Sequence, residues 1–323
     1  MVTVITKTIG PTGRDYTTFT LAEAATTSIG TSGDLVANDE AIVFEADAGL
    51  YEAAYLYDAS SLVTDATRNV TYRPAAGSEH GGLKTQGVRH EHRAGVRTAV
   101  RDKHTVMEGM VFIPDSSPNG KYGPQMNADG VIFRSCIVAM LGTSRDTLTV
   151  RGGTTLAPCR VENCVLESDS TFGFRRSLVF ENTTSYGLVD VHARIVNNTI
   201  VSTTDRAVTS TDNGTGNSRT ITFLNNVVIG PGAFYDYDAA TTTITGSNNF
   251  AAGTNPFPVA VQGSPYPVTS TTTTSPGAGD WLIYRAANYQ LDDSTDNDVA
   301  GQGIGPSASS EVPTAGINGA ARS

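Results

Sequence analysis

Two short stretches constrain this chain more than any other feature: "IVNNTIV" from Ile195 to Val201 and "FLNNVVI" from Phe223 to Ile229. Each is a run of β-branched and aliphatic residues, the composition of a buried strand. Each carries two adjacent asparagines at its centre. A buried amide without a partner costs roughly 1–3 kcal/mol, so a fold that repeats this interruption must pair the amides.

The same pattern recurs more loosely along the chain. Aligned on their centres, MEGMV, FRSCI, VENCV, FENTT, VNNTI and LNNVV share a column. It holds Gly109, Ser135, Asn163, Asn182, Asn198 and Asn226, at spacings of 26, 28, 19, 16 and 28 residues. A weaker match falls at Asn248 or Asn249. Irregular periods near ~20–28 residues with short strands fit a β-solenoid, whose coils differ in loop length. A propeller needs ~40–45 residues per repeat. In a parallel stack, equivalent residues lie about 4.8 Å apart. The expected structural ladder is therefore Ser135, Asn163, Asn182, Asn198 and Asn226, hydrogen-bonded coil to coil. In each Asn pair, one residue joins the ladder and the other takes the turn.

These motifs resemble the right-handed parallel β-helix, or pectate-lyase-like, superfamily. The opening "IGPTGRDYTTFTLAEAA" is similar to its entry segment, where a short helix plugs the first coil. "ANYQLDDSTDNDVAGQGIGPSA" near the end resembles its closing segment. The expected fold is thus all-β, a single-stranded right-handed parallel β-helix with a short N-terminal capping helix and an irregular C-terminal segment. The expected divisions are an entry segment over residues 1–40, coils over 41–262 and a Thr-rich arm with a closing segment over 263–323. The helix is expected over Thr20–Ala25, with Thr20 and Glu23 as a capping box.

Composition narrows the function classes. The 323 residues include 22 Lys and Arg against 32 Asp and Glu, a formal charge of −10. That balance argues against nucleic acid or an anionic membrane as partner. No apolar run reaches the ~20 residues of a membrane span. The N-terminus shows no apolar leader region, so synthesis in a cytoplasm is expected. Cys136, Cys159 and Cys164 form no metal-binding spacing, and no cofactor motif is present. Cys136 and Cys164 are expected to be buried neighbours; a disulfide between them fits a cytoplasm poorly.

Three constellations carry possible chemistry. In "VDVHARIV", Asp190, His192 and Arg194 fall on one face of a strand and could serve acid–base catalysis on a polysaccharide. The bland alternative is an exposed strand with alternating charges. His90 and His92 in "RHEHR" share a strand face; without a third metal ligand they read as solvated, as does His80. Glu108, Arg134, Glu162 and Glu181 read as one alternating surface charge row.

One local excess of charge stands out. Lys84, Arg89, Arg93, Arg97, Arg101 and Lys103 lie within a short stretch holding only Glu91 and Asp102 as acids. This is a candidate docking patch for an acidic protein or glycan.

The superfamily's catalytic signatures are absent as sets, so the resemblance implies a non-enzymatic phage virion protein. The expectation is a capsid decoration (cement) protein on the outer capsid surface, made in a host cytoplasm. Its partner would be the major capsid protein or another virion protein, and a homotrimer the favoured assembly. The alternatives are a tailspike that binds or cleaves host polysaccharide, or a free polysaccharide lyase or hydrolase.

Overall fold

The computed structural model describes residues 1–252, apart from 31–32, 53–55, 59–61, 93–97, 115–121, 142–145, 170–175, 183–189, 203–205, 212–216, 231, 237–240 and 248. The expected arm and closing segment over 263–323 lie outside the described residues.

A strand, β1 (Thr3–Ile9), starts the stack, followed by helices α1 (Phe19–Ala25) and α2 (Leu35–Asn38). Complete windings then follow, each of three strands. They are β2 (Glu40–Ala46), β3 (Gly49–Glu52) and β4 (Leu56–Tyr57); β5 (Val70–Pro74), β6 (Val88–His92) and β7 (Ala99–Val100); β8 (Val106–Glu108), β9 (Val111–Pro114) and β10 (Gln125–Met126). Next come β11 (Ile132–Arg134), β12 (Ile137–Leu141) and β13 (Asp146–Val150); then β14 (Cys159–Glu162), β15 (Val165–Asp169) and β16 (Arg176–Glu181). The last windings are β17 (Val191–Val196), β18 (Thr199–Ser202) and β19 (Arg206–Thr211); β20 (Arg219–Leu224), β21 (Val227–Ile229) and β22 (Gly232–Asp236); then β23 (Thr242–Ser247) and β24 (Phe250–Ala252).

Every pairing between these strands is parallel, and each winding from β2 to β22 gives one strand to each of three sheets. The first sheet runs β1-β2-β5-β8-β11-β14-β17-β20-β23, the second from β3 to β24 and the third from β4 to β22. This is a parallel β-helix. β1 pairs with β2 along its whole length, so the stack begins at Thr3, ahead of the boundary at residue 41 expected from the sequence.

The interrupted strands are corners. "ARIVNNTIVS" is not one strand but two: β17 in the first sheet and β18 in the second, folded about the amides. The residue at the bend has left-handed backbone angles: φ is 64° at Gly109, 52° at Ser135, 55° at Asn163 and 57° at both Asn197 and Asn225. Glycine and asparagine adopt that region at low cost, which explains the composition of the column.

The ladder occupies the next position, inside the corner. The backbone N–H of Cys164 donates to Asn198 Oδ1 at 2.8 Å, that of Asn198 to Asn226 Oδ1 at 2.9 Å, and that of Asn226 to Asn249 Oδ1 at 3.0 Å. Each amide nitrogen donates back to a carbonyl of the preceding winding: Asn198 to Val161, Asn226 to Ile195 and Asn249 to Phe223. The single ladder expected from sequence is therefore two columns. Ser135 and Asn163 stand with the bend residues, where Asn163 donates to Ser135 Oγ at 3.1 Å. Asn182 follows β16 of the third sheet and donates to the Asn217 carbonyl. The sequence alignment slipped by one position at the Asn pairs because either amide fits the pattern. Strand register decides: Glu162 pairs with Val196, and Val196 with Leu224.

Cys136 and Cys164 continue the ladder towards the N-terminus. The Cys136 N–H reaches Cys164 Sγ at 3.4 Å, and the two thiols contact the Met107 and Phe133 carbonyls. They occupy the Asn position with weaker donors. All three cysteines are free and buried, and burial raises the Cys136 thiol and pushes Cys159 up to about 12. We expect no alkylation of the native protein by a thiol reagent at pH 8 over hours, and three labelled cysteines after unfolding, read by mass spectrometry.

α1 closes the N-terminal end. Its N-cap is Thr18, whose side chain accepts from the Leu21 N–H, two residues before the Thr20 cap expected from sequence. Glu23, the other half of the expected capping box, instead accepts from the Asp58 N–H. Phe19 inserts into the first windings, with its ring 5.2 Å from Tyr51 and 4.1 Å from His90. Below it Phe44 and Tyr72 stack at 4.9 Å. Aromatic contacts of this kind add about 0.5–1.5 kcal/mol each beyond area burial.

Candidate functional site

His90 and His92 are not on a solvated face. They point inward from β6, where His90 is in register with Phe112 of β9 and His92 with Pro114. Both are fully buried. Neither ring nitrogen of His90 has a hydrogen-bond partner. The strand alternates as expected, but the histidines share the core side with Val88, and Arg89 and Glu91 take the outer one. Burial holds His90 at about 3 and His92 at about 4, well below the usual 6.5. No group of three or more His, Cys, Asp or Glu suited to a metal occurs among the described residues.

Asp190, His192 and Arg194 lie at the start and along the outer face of the first sheet, since Val191, Ala193 and Ile195 enter the core. Asp190 engages Ser218, accepting from its N–H at 2.9 Å and its hydroxyl at 2.8 Å. His192 and Arg194 sit beside Thr220 and Thr222 of the next strand.

A charge row runs in register on the first sheet through Glu45, Arg73, Glu108, Arg134 and Glu162, but Glu162 is buried, so the row is not wholly the surface one expected. Arg73 meets Glu45 at 2.7 Å and Arg134 meets Glu162 at 3.0 Å. Glu181 is not a member; it belongs to the third sheet.

Three residues of the basic stretch are paired with carboxylates. Lys84 pairs with Glu167 at 3.3 Å, Arg101 with Asp58 at 3.2 Å and Lys103 with Asp129 at 3.1 Å. Arg89 stands on the outer row of β6. Arg93 and Arg97 fall outside the described residues. Carboxylates distant in sequence neutralise the charges, which a local count of acids could not reveal.

The most unusual polar environment is the outer face of the third sheet. Met126, Val150 and Phe180 of β10, β13 and β16 occupy one inward row. By alternation, their neighbours face out. One outer row holds Gln125, Thr149, Val179 and Thr209; the next holds Asn127, Arg151 and Glu181. Arg151 Nε donates to Glu181 Oε2 at 2.7 Å and Nη2 contacts the same oxygen. Arg151 Nη1 donates to Gln125 Oε1 at 2.9 Å. The guanidinium thus fixes a carboxylate on one side and an amide on the other.

Beside this triad stand groups with no partner. Asn127 is 4% exposed, and neither its amide nitrogen nor its amide oxygen makes a hydrogen bond. Gln125 Nε2 and the Thr209 hydroxyl are likewise buried and unpaired. Asp146 at the start of β13 accepts from Arg176 Nε at 2.7 Å and Nη2 at 3.0 Å. Burial raises its pKa; Arg176 opposes this, and the charges of Glu181 and Arg151 are also felt.

Chemically, both carboxylates are held by guanidiniums, while unpaired amides and a hydroxyl offer donors and acceptors. Their chemistry suits polar, hydroxyl-rich ligands, but the atoms are themselves buried, so a ligand must open this face to reach them. The sequence reading missed Gln125, Asn127 and Arg151. A signal was present: Gln-Met-Asn, Thr-Val-Arg and Val-Phe-Glu each place an apolar residue before a polar one capable of hydrogen bonding.

No protein-family model matches the chain, and no curated protein matches it. Among solved structures, the pectin methylesterase from Aspergillus niger is similar at 16% identity and a TM-score of 0.48, covering 77% of this chain and 86% of that one. A pectin methylesterase in complex with a hexasaccharide is similar at 12% identity and a TM-score of 0.41, covering 85% of this chain and 97% of that one. Both scores are below 0.5, so the assignment of the fold rests on the strand register itself.

Proposed function

We propose that this protein is a polysaccharide-binding β-helix whose binding surface is the outer face of the third sheet. The observation that carries the reading is Asn127, a buried amide with no protein partner, next to the Gln125–Arg151–Glu181 triad. Leaving such an amide unpaired costs roughly 1–3 kcal/mol. A sugar hydroxyl both donates and accepts, so it can satisfy either end of the amide. The rows repeat at the coil spacing of about 4.8 Å, which suits an extended polymer better than a compact ligand.

Binding fits this geometry better than cleavage. Glu181 and Asp146 are each clamped by an arginine, and neither offers a free carboxylate for nucleophilic attack.

The test is affinity electrophoresis against a panel of neutral and acidic polysaccharides. We expect retardation by at least one of them, and at least a tenfold weaker affinity for Asn127→Ala with its melting temperature unchanged or raised. Equal retardation of Asn127→Ala and the unaltered protein would remove the third sheet from the reading. The competing proposal is the virion role: decoration of the outer capsid as a homotrimer on the major capsid protein. Binding to no polysaccharide, with saturable binding to phage heads, would favour it.

A further inference from the structure

The second sheet carries an apolar stripe on its outer side. Val111, Ile137, Ala139, Val165 and Val201 face away from the main core, yet all are buried as a cluster of their own. The segment 75–87, between β5 and β6, fastens at two points along this stripe. His80 contacts the Ser135 carbonyl at 2.8 Å, just before Ile137. Lys84 meets Glu167 at 3.3 Å, and Glu167 pairs in register with Ala139 and Val201. The segment therefore leaves its own winding and crosses to later ones.

The protonation state of His80 is fixed by its partners. The Gly82 N–H donates to His80 Nδ1 at 2.8 Å, so Nδ1 must be the bare nitrogen. Nε2 then carries the hydrogen that the Ser135 carbonyl accepts. A second proton has one place to go, Nδ1, where it would face the Gly82 N–H donor to donor. The turn itself is tight: Gly81 and Gly82 have φ of 56° and 85°. A Cβ at Gly87 would meet the His80 backbone nitrogen at 2.6 Å.

We propose that residues 75–87 form a strap released by protonation of His80, uncovering the apolar stripe of the second sheet. The charged groups around the latch are Glu79 beside it, Lys84 and Glu167 at the second anchor, Arg89 on β6, and Arg134 and Glu162 next to Ser135. Burial disfavours the charged ring and sets release below the ordinary histidine value, with the Ser135 carbonyl and then Glu79 opposing it.

Hydrogen exchange, corrected for intrinsic rates, tests the strap at pH 7.5 and pH 5. Protection of residues 78–86 should fall at least tenfold more than that of β14 and β17. Dye binding to exposed apolar surface should rise with it. His80→Gln should abolish the difference between the two pH values. Lys84→Met, which leaves His80 intact, should move release to higher pH. The effect should persist in a His90→Phe/His92→Leu background, which separates it from titration of the core. Unchanged strap protection in the unaltered protein would overturn the proposal, as would loss in step with β14 and β17.

Discussion

Asn226→Ala should lower the stability of the protein by about 3–4 kcal/mol, with a fall in melting temperature on the order of 10 °C. The side chain accepts from the Asn198 N–H at 2.9 Å and the Asn198 amide nitrogen at 3.0 Å, and donates to the Ile195 carbonyl at 2.8 Å. Removal leaves the Asn198 N–H buried without an acceptor and the Ile195 carbonyl without this donor. An unsatisfied buried group costs more than a net hydrogen bond yields, so the loss exceeds that of a methyl-sized cavity. The neighbouring Asn225 makes the contrast. It holds φ at 57° at the bend, where Gly is at ease, so Asn225→Gly should cost much less. Urea denaturation of both variants checks the pair. Equal losses would mean that the ladder position has been assigned to the wrong asparagine.

Lowering the pH from 7.5 to 5 should cost about 4 kcal/mol, through His90 and His92. Folded, they titrate at about 3 and about 4; unfolded, near 6.5. Between those values the unfolded chain binds protons that the native one refuses. Stability therefore rises with pH across this window and falls as acid is added. Each ring contributes about 2 kcal/mol by pH 5. Asp15, Asp39 and Asp65, lowered by their partners, lose their contribution only at more acidic pH, as the unfolded carboxylates protonate. Asp146 and Glu23, raised by burial, act in the opposite direction within the carboxylate range. Chemical denaturation at the two pH values reads the slope. The His90→Phe/His92→Leu variant should lose most of it, and a flat profile in the unaltered protein would contradict the buried placement.

The β-helix was legible because the corner between the first and second sheets has a chemical signature. Left-handed backbone angles select Gly, Ser or Asn, and the ladder selects Asn next to it. The third sheet left no such mark. Its strands include the two-residue Gln125–Met126 and the Thr-rich Asp146–Val150, which carry no recurring column to align on. The site fell there, so its residues went unseen. Sidedness was the second gap: "VRHEH" alternates either way, and only packing against Phe19 and Phe112 turns the histidines inward. In the basic stretch, the partners of Lys84, Arg101 and Lys103 were hidden from sequence, since Glu167, Asp58 and Asp129 are distant along the chain.

The proposed polysaccharide surface on the third sheet is tested by a crystal structure with an oligosaccharide taken from whichever polymer retards the protein. Sugar should lie along the outer rows of β10, β13 and β16, with hydroxyls within hydrogen-bond distance of the Asn127 amide and Gln125 Nε2. Sugar seated instead on the first sheet, around His192 and Arg194, would contradict it.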